Sequence, residues 1–284
     1  VGNLIAGGAG KTPIVIALVQ ALQARGRRPG VVARGYAAQA QRQAALVEAG
    51  SDPAVCGDEP VLVAERTGAP VAVHRERALA VQALLRAHPD LDVVVSDDGL
   101  QHYALARRVE LVVFDGRGAG NGAFLPAGPL REPIDRMRDA TLFSACPIDP
   151  ALCADSPAFS VPIAATQLRV SATDTLLDAA HFLAGRPVSA YAGMADPGKF
   201  FATLRALGAQ VDAHPLPDHA RFAAGSFADA REDCIVVTEK DAVKCARIPA
   251  LARDPRLHVL RVDAQLDPAL IDLVMEKLDG PQAA

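Results

Sequence analysis

The glycine-rich segment at residues 2–13, GNLIAGGAGKTP, constrains this chain more than any other. Glycines let backbone N–H groups close on phosphate oxygens, and a helix starting near Lys11 adds the positive end of its dipole. Lys11 is the only lysine in the first 198 residues, although the chain has 24 arginines and five lysines. A compact ammonium fits between the β- and γ-phosphates, where a planar guanidinium would overfill the space. The segment therefore predicts a loop that binds a nucleoside triphosphate.

Six consecutive residues form the predicted phosphate-binding set: Gly7, Gly8, Ala9, Gly10, Lys11 and Thr12. The Thr12 hydroxyl is a candidate ligand for Mg²⁺. The spacing departs from the G-x-x-x-x-G-K-T pattern, which would need glycine where Ile5 stands. Such loops follow a buried strand, so we expect the beginning of that strand to lie upstream of Val1.

Two adjacent carboxylates, Asp97 and Asp98, follow the apolar run at 91–96. A carboxylate at the carboxyl end of a buried strand beside a phosphate loop typically holds Mg²⁺. Adjacent carboxylates repel each other unless a cation is near, so a metal ion is predicted here. The alternative is an ordinary Asp-Asp-Gly turn, and which aspartate serves the metal more directly stays open.

The composition excludes several classes of protein. A net charge of −4, a pI near 6.0 and 4% aromatic residues with no tryptophan argue against a nucleic-acid partner. The five cysteines include no C-x-x-C pair, which argues against a disulfide framework or a structural zinc site and favours a reducing compartment. No stretch approaches the roughly 20 apolar residues of a membrane-spanning helix.

The first half alternates short apolar runs with helical patterns, which predicts an α/β fold with a doubly wound, mostly parallel sheet. The predicted helices are 12–24, 61–67 and 76–87, and the predicted strands are 30–33, 71–73, 91–96 and 110–114. Residues 116–133 are rich in glycine and proline and predict a long functional loop.

Residues 141–157 have the composition of a linker, and 158–170 predict an extended or hairpin segment. A second βα series follows, with predicted strands at 187–192, 210–213, 234–238 and 257–262 and helices at 197–207, 219–230 and 267–278. We therefore expect an ATP-binding core at 1–145, a linker at 146–170 and a smaller α/β domain at 171–284, with any cleft between the two domains.

Four further segments carry candidate site residues, each with a plain structural alternative. Asp58 in GDEP fits an ordinary helix cap. Arg131 could clamp a transferring phosphate or pair with a neighbouring carboxylate. An Asp218-His219 pair at a predicted helix start could tune a proton acceptor, or be a surface group. The charged run at 238–244 lies at a strand's carboxyl end, where ligands bind in open sheets, or simply begins a solvated helix.

Taken together, the segments resemble one family closely, the tetraacyldisaccharide 4'-kinases, which are lipid A 4'-kinases of Gram-negative bacteria. Each short motif is weak, but eight in the same order and spacing from Val1 to about Lys244 are specific. The motifs are VGNLIAGGAGKTP (1–13), VVARGY (31–36), GDEP (57–60), SDDGLQH (96–102), LREP (130–133), GMADPGKFF (193–201), PDHARF (217–222) and VVTEKDAVK (236–244). The sixth departs from the commoner glycine-isoleucine-glycine-asparagine-proline pattern.

The resemblance implies transfer of the γ-phosphoryl of ATP, with Mg²⁺, to the 4'-hydroxyl of a tetraacylated glucosamine disaccharide 1-phosphate. By motif match it implies that Lys11 and Arg131 act on the phosphates, and that Asp58 is the candidate base with His219 as its partner. The implied metal network is Thr12, Asp97, Asp98 and Glu132.

The resemblance also implies a P-loop core with a second α/β domain that closes over the site. Members of the family carry an N-terminal membrane-associating segment that this chain lacks. We expect a monomer that acts at the cytoplasmic face of the bacterial inner membrane.

Two other functions fit the loop. A deviant phosphate-loop switch that dimerises with ATP would carry lysine where Ala6 stands, which argues against that class. A kinase or ligase acting on a small soluble metabolite would use the same loop, and only the choice of acceptor distinguishes it.

Overall fold

A computed structural model describes residues 1–35 and 43–280 of the chain. It divides into two compact units: the first comprises Val1–Glu48, Val63–Ile163 and Ala264–Ala284, and the second comprises Ala49–Leu62 and Ala164–Asp263. These units do not coincide residue by residue with the domains 1–145 and 171–284, which stay a prediction. Tyr36, the last residue of the VVARGY motif, lies outside the described residues.

Helices and strands alternate along most of the chain. In chain order the helices are α1 (Lys11–Ala24), α2 (Pro53–Cys56), α3 (Asp58–Thr67), α4 (Arg77–Ala87), α5 (Ala179–Leu183), α6 (Pro197–Ala206), α7 (Glu239–Cys245), α8 (Pro249–Ala252) and α9 (Pro268–Asp279). The strands are β1 (Pro29–Ala33), β2 (Ala45–Val47), β3 (Val71–Val73), β4 (Val93–Ser96), β5 (Leu111–Phe114), β6 (Ala140–Ser144), β7 (Ala158–Val161), β8 (Ile163–Val170), β9 (Leu176–Asp178), β10 (Pro187–Ala192), β11 (Gln210–Pro215), β12 (Ile235–Thr238) and β13 (Leu257–Ala264).

The first unit contains a four-stranded sheet of order β2-β3-β1-β4 and a three-stranded sheet of order β5-β6-β7. All their pairings are parallel except β2–β3. The segment 1–5 runs along the second sheet, because Gly2 accepts a hydrogen bond from Val113 N and donates one to Leu111 O. On its other side, Gly99 N donates to Val1 O. The phosphate loop thus emerges from a strand-like segment between the loop after β4 and strand β5.

A buried apolar cluster lies beneath this segment. Its fully enclosed members include Leu4, Ile5, Val112 and Phe114, and Leu130 from the long loop joins them. Burying each of these side chains contributes roughly 1.5–3 kcal/mol, so the base of the phosphate loop is anchored to β5 by the hydrophobic effect.

Two strands of the first unit, β2 and β6, were not predicted. Residues 140–144 fall partly in the stretch interpreted as a linker, yet they form β6, whose five residues are all buried. The run ATLFS mixes polar and apolar residues, so its residue pattern does not predict a buried strand. Thr141 Oγ1 is satisfied within the fold by Arg138 Nε and the Ser156 hydroxyl, which explains how a polar side chain is accommodated there.

The second unit contains a six-stranded sheet of order β11-β10-β12-β13-β8-β9. Strands β11, β10, β12 and β13 pair in parallel, and β8 pairs with β9 antiparallel. The mixed α/β architecture with mainly parallel strands agrees with the sequence-based prediction of fold class.

The predicted helix at 219–230 is wrong, because these residues form successive turns. His219 has a φ of +55°, in the left-handed region that a helix cannot continue through. Phe227 is the one fully buried large side chain of this segment, so there is no apolar stripe at helical spacing to hold a helix against the sheet.

No helix among residues 1–35 and 43–280 has both the length and the apolar character needed to cross a lipid bilayer.

Candidate active site

The phosphate loop has the backbone geometry its glycines predict. Gly7 and Gly10 have φ values of +91° and +70°, which favour glycine because a side chain would be strained there. Gly10 is the N-cap of α1 and makes no side-chain capping bond. The first N–H groups of α1 therefore remain available to an anion, and the helix dipole favours one.

Lys11 lies at the first position of α1 and is held on two sides. Its Nζ donates to Asn3 Oδ1 at 2.9 Å and lies 3.3 Å from Asp98 Oδ1. Asn3 is completely buried, and its Nδ2 donates to Ile5 O and Gly7 O within the loop. Asn3 therefore links the ammonium to the loop backbone. The sequence offered one signal for it, an amide in an otherwise apolar segment.

Arg131 and Asp98 form the second half of this cluster. An Arg131 Nη1–Asp98 Oδ2 distance of 3.3 Å defines an ion pair, and Arg131 Nη1 also donates to Gln101 Oε1. Burial alone would raise the pKa of Asp98, but the nearby charges of Lys11 and Arg131 outweigh it and lower that pKa. Asp98 is therefore a carboxylate at neutral pH between two cations.

Glu132 is buried and fully engaged. Its Oε1 accepts from Gln101 Nε2 at 2.6 Å and its Oε2 lies 2.7 Å from Arg136 Nε. Gln101 thus connects Glu132 to Arg131. It lies in the SDDGLQH motif but was not singled out by residue type, because a neutral amide gives no charge signal.

The predicted metal ligands Thr12, Asp97, Asp98 and Glu132 all belong to the first unit, and all but Asp98 are buried. Across the described residues, no three His, Cys, Asp or Glu side chains are grouped so as to hold a metal ion by themselves. Mg²⁺ that accompanies a nucleotide typically uses only one or two carboxylates, since phosphates and waters complete its octahedron. The adjacent carboxylates and the Thr12 hydroxyl fit an ion of this kind.

Arg117, which the sequence did not single out, fastens the phosphate loop from the end of β5. Its Nη1 donates to Ala6 O at 3.2 Å and its Nη2 to Gly8 O at 2.7 Å. Its Nε donates to both carboxylate oxygens of Asp115 at 3.0 Å. A guanidinium held at one edge by a carboxylate thus presents its other edge to two loop carbonyls, a use of the planar fork that lysine cannot replace.

Next to the cluster lies a cavity of about 500 Å³ whose lining is basic on balance, because four arginines outnumber the carboxylates of Glu76 and Asp98. Arg34, Arg75, Arg77 and Arg131 line it together with His102. Burial lowers the pKa of His102, and the positive charges of Arg77 and Arg34 lower it further. The cavity therefore suits a multiply charged anion.

The second unit holds the other two predicted site residues. His219 Nδ1 lies 3.2 Å from Asp58 Oδ2, while Asp58 Oδ1 accepts from Glu59 N. Asp58 is buried and starts α3, and Glu59 beside it pairs with Lys240 of α7. Asp58 is the first residue of α3, and its two carboxylate oxygens make different contacts, one with Glu59 N and the other with His219 Nδ1. Its role stays a prediction.

Parallel strands, a glycine loop opening a helix, its lysine and a nearby pair of carboxylates define a phosphate-loop protein of the class that binds nucleoside triphosphates. Comparison with known proteins gives the family. The tetraacyldisaccharide-1-P 4'-kinase (LpxK) family model matches residues 1–279, and the chain belongs to this family.

Curated relatives and a solved structure agree with this assignment. The chain is 46% identical over 301 residues to the tetraacyldisaccharide 4'-kinase of Herminiimonas arsenicoxydans, covering 100% of this chain and 83% of the relative. It is 46% identical over 295 residues to the enzyme of the same name from Dechloromonas aromatica, with 100% and 84% covered. A crystal structure of LpxK from Aquifex aeolicus in complex with ATP has a TM-score of 0.77 and 25% identity, covering 98% of this chain and 87% of that one. The predicted family and P-loop fold class are confirmed.

Proposed function

We propose that this chain catalyses ATP-dependent phosphorylation of the 4'-hydroxyl of a tetraacylated glucosamine disaccharide 1-phosphate, a step of lipid A biosynthesis. The observation that carries the proposal is the family match over residues 1–279. Membership over that length argues against both a dimerising ATP switch and a kinase of small soluble metabolites.

The phosphate-binding role falls to the first unit. Backbone N–H groups from Gly7 to Gly10 and the N-terminus of α1 would hold the triphosphate, and Lys11 would bridge its β- and γ-phosphates. Arg131 would neutralise charge on the γ-phosphoryl as it moves. Phosphoryl transfer depends chiefly on positioning and charge neutralisation. The loop backbone, Lys11 and Arg131 would therefore supply most of what the reaction requires of the protein.

Thr12, Asp97, Asp98 and Glu132 would serve the metal site. When bound, Mg²⁺ neutralises charge on the β- and γ-phosphate oxygens. The Glu132 carboxylate is held by Gln101 and Arg136, which suits an indirect role through water better than direct ligation. Asp97 and Thr12 are the stronger candidates for contact with the ion.

Asp58 is the proposed acceptor of the proton that the sugar hydroxyl releases during attack. Glu59 N donates a hydrogen bond to Asp58 Oδ1, which fixes the plane of the carboxylate, and His219 Nδ1 contacts Asp58 Oδ2. His219 would orient the Asp58 carboxylate, which would accept the proton and become neutral. General-base help of this kind is typically worth about 10²–10⁴-fold in rate.

The basic cavity is the proposed site for the anionic 1-phosphate of the acceptor. Four arginines and a histidine line the cavity, and arginine binds phosphate oxygens in a bidentate manner. The cavity shares Arg131 and Asp98 with the nucleotide cluster, so both phosphate-bearing substrates would meet residues of the same unit.

A lipid acceptor places the enzyme at a membrane surface, and we propose the cytoplasmic face of the inner membrane because that is where ATP is supplied. We further propose that the enzyme acts as a monomer.

A radiolabelled-ATP assay tests the function directly. Label should transfer to a detergent-dispersed tetraacyldisaccharide 1-phosphate and not to soluble sugars, and the transfer should require Mg²⁺. Asp58→Asn should reduce kcat about 10²–10⁴-fold and leave the Kd for ATP within twofold. Transfer to soluble acceptors alone would contradict the proposed substrate, and normal turnover of Asp58→Asn would remove Asp58 from the mechanism.

A further inference from the structure

Two motifs of the second unit have no role in the proposed mechanism, and they meet at one buried carboxylate. They are the segment that begins at Gly193 and the helix start at 238–244. Asp241 is completely buried, and its Oδ2 accepts from Gly193 N at 2.9 Å and from Thr238 Oγ1 at 2.8 Å. Its Oδ1 lies 2.8 Å from Lys244 Nζ. The carboxylate thus ties the end of β10 to the start of α7.

Gly193 lies where a side chain would be crowded, so that its neighbours would have to shift by a few tenths of an ångström. A Cβ atom there would lie 3.0 Å from Asp241 Oδ1, 3.2 Å from Ala220 Cβ and 3.2 Å from Pro217 O. Its φ is outside the left-handed region, so the need for glycine is one of space rather than backbone conformation. Gly193 is therefore packed between the buried carboxylate and the turn that runs from Pro217 to Ala220.

That turn carries His219. Leu216 N donates to Ala192 O at the end of β10, and Ala220 N donates to Pro217 O to close the turn. His219 has a φ of +55°, an unfavourable conformation for a residue with a side chain, which persists only where the surroundings impose it. The close packing against Gly193 is one such constraint.

A second contact reaches the same loop from α7. Lys244 Nζ, which pairs with Asp241, also lies 5.3 Å from the centre of the Phe222 ring. Phe222 follows His219 by three residues. The buried Asp241–Lys244 pair therefore contacts the His219 loop through Gly193 on one side and through Phe222 on the other.

From this packing we propose that Gly193 and Asp241 are positioning residues, which set the distance between His219 and Asp58 by fixing the Pro217–Ala220 turn. The inference rests on the proposed role of the Asp58–His219 pair. It assigns the two motifs to the geometry of that pair and not to substrate contact.

The central variant is Gly193→Ala, with Gly225→Ala as its matched control. Gly225 follows the same turn, has nothing within 4 Å of a Cβ position and has an ordinary φ. A shift of about 1 Å in a reacting group can cost 10²-fold in rate. We expect Gly193→Ala to lower kcat about 10–100-fold with the Kd for ATP within twofold. Gly225→Ala should match the parent in both.

A double variant separates positioning from general damage. Gly193→Ala combined with His219→Gln should be no slower than His219→Gln alone, because the first change acts through the second residue. Multiplicative losses in an enzyme with parental thermal unfolding would overturn the inference. If Gly193→Ala does not fold, Phe222→Leu replaces it, with the same expected loss in kcat and the same non-additivity with His219→Gln.

An NMR comparison gives a readout that does not depend on turnover. In the parent, Asp58→Asn should move the imidazole resonances of His219, and in the Gly193→Ala background it should move them little. An equal displacement in both backgrounds would overturn the inference. If His219→Gln had parental kcat, the proposed proton-transfer role would be wrong, and the NMR comparison would still decide whether Gly193 positions the pair.

Discussion

The ammonium of Lys11 lies 3.3 Å from the nearest carboxylate oxygen of Asp98, and the two groups are the charged centre of the phosphate-loop cluster. A triphosphate in the loop would compete with Asp98 for this ammonium and bring greater negative charge to it. The loop lysine is therefore expected to carry a large share of nucleotide affinity.

Lys11→Met should weaken ATP binding about 10–100-fold, because a charged hydrogen bond contributes about 1.5–3 kcal/mol. Turnover should fall with it. Isothermal titration calorimetry with ATP gives the affinity. Lys199→Met is the control, since the Lys199 side chain is exposed and its ammonium lies 3.9 Å from the Asp196 carboxylate. ATP affinity and product formation that both survive in Lys11→Met would contradict the phosphate-loop assignment.

Gly10→Ala should destabilise the folded protein by more than 1 kcal/mol. Its backbone has a φ of +70°, and a Cβ atom would lie 2.7 Å from Ser144 Oγ. Gly8→Ala is the stability control, because nothing lies within 4 Å of a Cβ there and its φ is ordinary. Denaturant unfolding of both variants measures the difference. Adding Ser144→Ala should restore only the part due to contact, and equal stabilities of Gly10→Ala and Gly8→Ala would show that the loop tolerates a side chain.

The parts of the fold that the sequence predicts are those where one local pattern decides the structure. Strands β3 and β5 are short apolar runs buried on both faces, and α1 follows a glycine loop. Each of these patterns predicts a single kind of element, and the structure has that element. The predicted helix at 219–230 fails because His219 takes a left-handed conformation and Phe227 is the one buried large side chain of the segment. Strand β6 was missed because its buried Thr141 is polar, and the contacts with Arg138 and Ser156 that satisfy its hydroxyl cannot be read from the residue pattern.

The site residues also fall into two groups, those that the sequence identifies and those that only the structure identifies. The sequence identified the charged residues in the motifs as candidates, and the structure brings Lys11, Asp98 and Arg131 together. Their roles stay predictions. The sequence did not identify the residues whose side chains hold other parts of the site in place. Asn3 and Gln101 are neutral, and Arg117 lies in a glycine-rich loop with no pattern of its own, so only the folded geometry identifies what they contact.

Arg117→Gln should weaken ATP binding about 5–50-fold and leave kcat at saturating ATP within threefold, because each hydrogen bond to a charged group contributes about 1.5–3 kcal/mol and the loop keeps its other supports. The variant loses the bonds to Ala6 O and Gly8 O. Arg28→Gln is the control, since the Arg28 side chain is exposed and its guanidinium lies 3.9 Å from the Asp90 carboxylate. A lower kcat with unchanged ATP affinity would instead give Arg117 a role in the chemical step.

His102 gives the basic cavity a pH signature. Burial and the charges of Arg77 and Arg34 lower its pKa below the ordinary value, so the folded protein binds fewer protons at this site than the unfolded chain does near pH 6.5. By linkage, the site reduces stability as the pH falls through the unfolded pKa. Between pH 7.5 and 5.5, the parent should lose more free energy of unfolding than His102→Gln, as measured by urea unfolding at each pH.

The same histidine reports on the proposed anion. A phosphate group in the cavity adds negative charge beside His102 and offsets the arginines, so the pKa of His102 should rise when the phosphate binds. NMR titration of the imidazole with and without glucosamine 1-phosphate measures this, and Arg75→Gln should weaken the sugar phosphate's effect because Arg75 lines the cavity. Glucosamine without phosphate is the control. If both sugars left the titration of His102 unchanged, the acceptor phosphate would have to bind elsewhere, and the cavity would serve only to hold Arg131 and Asp98 in place.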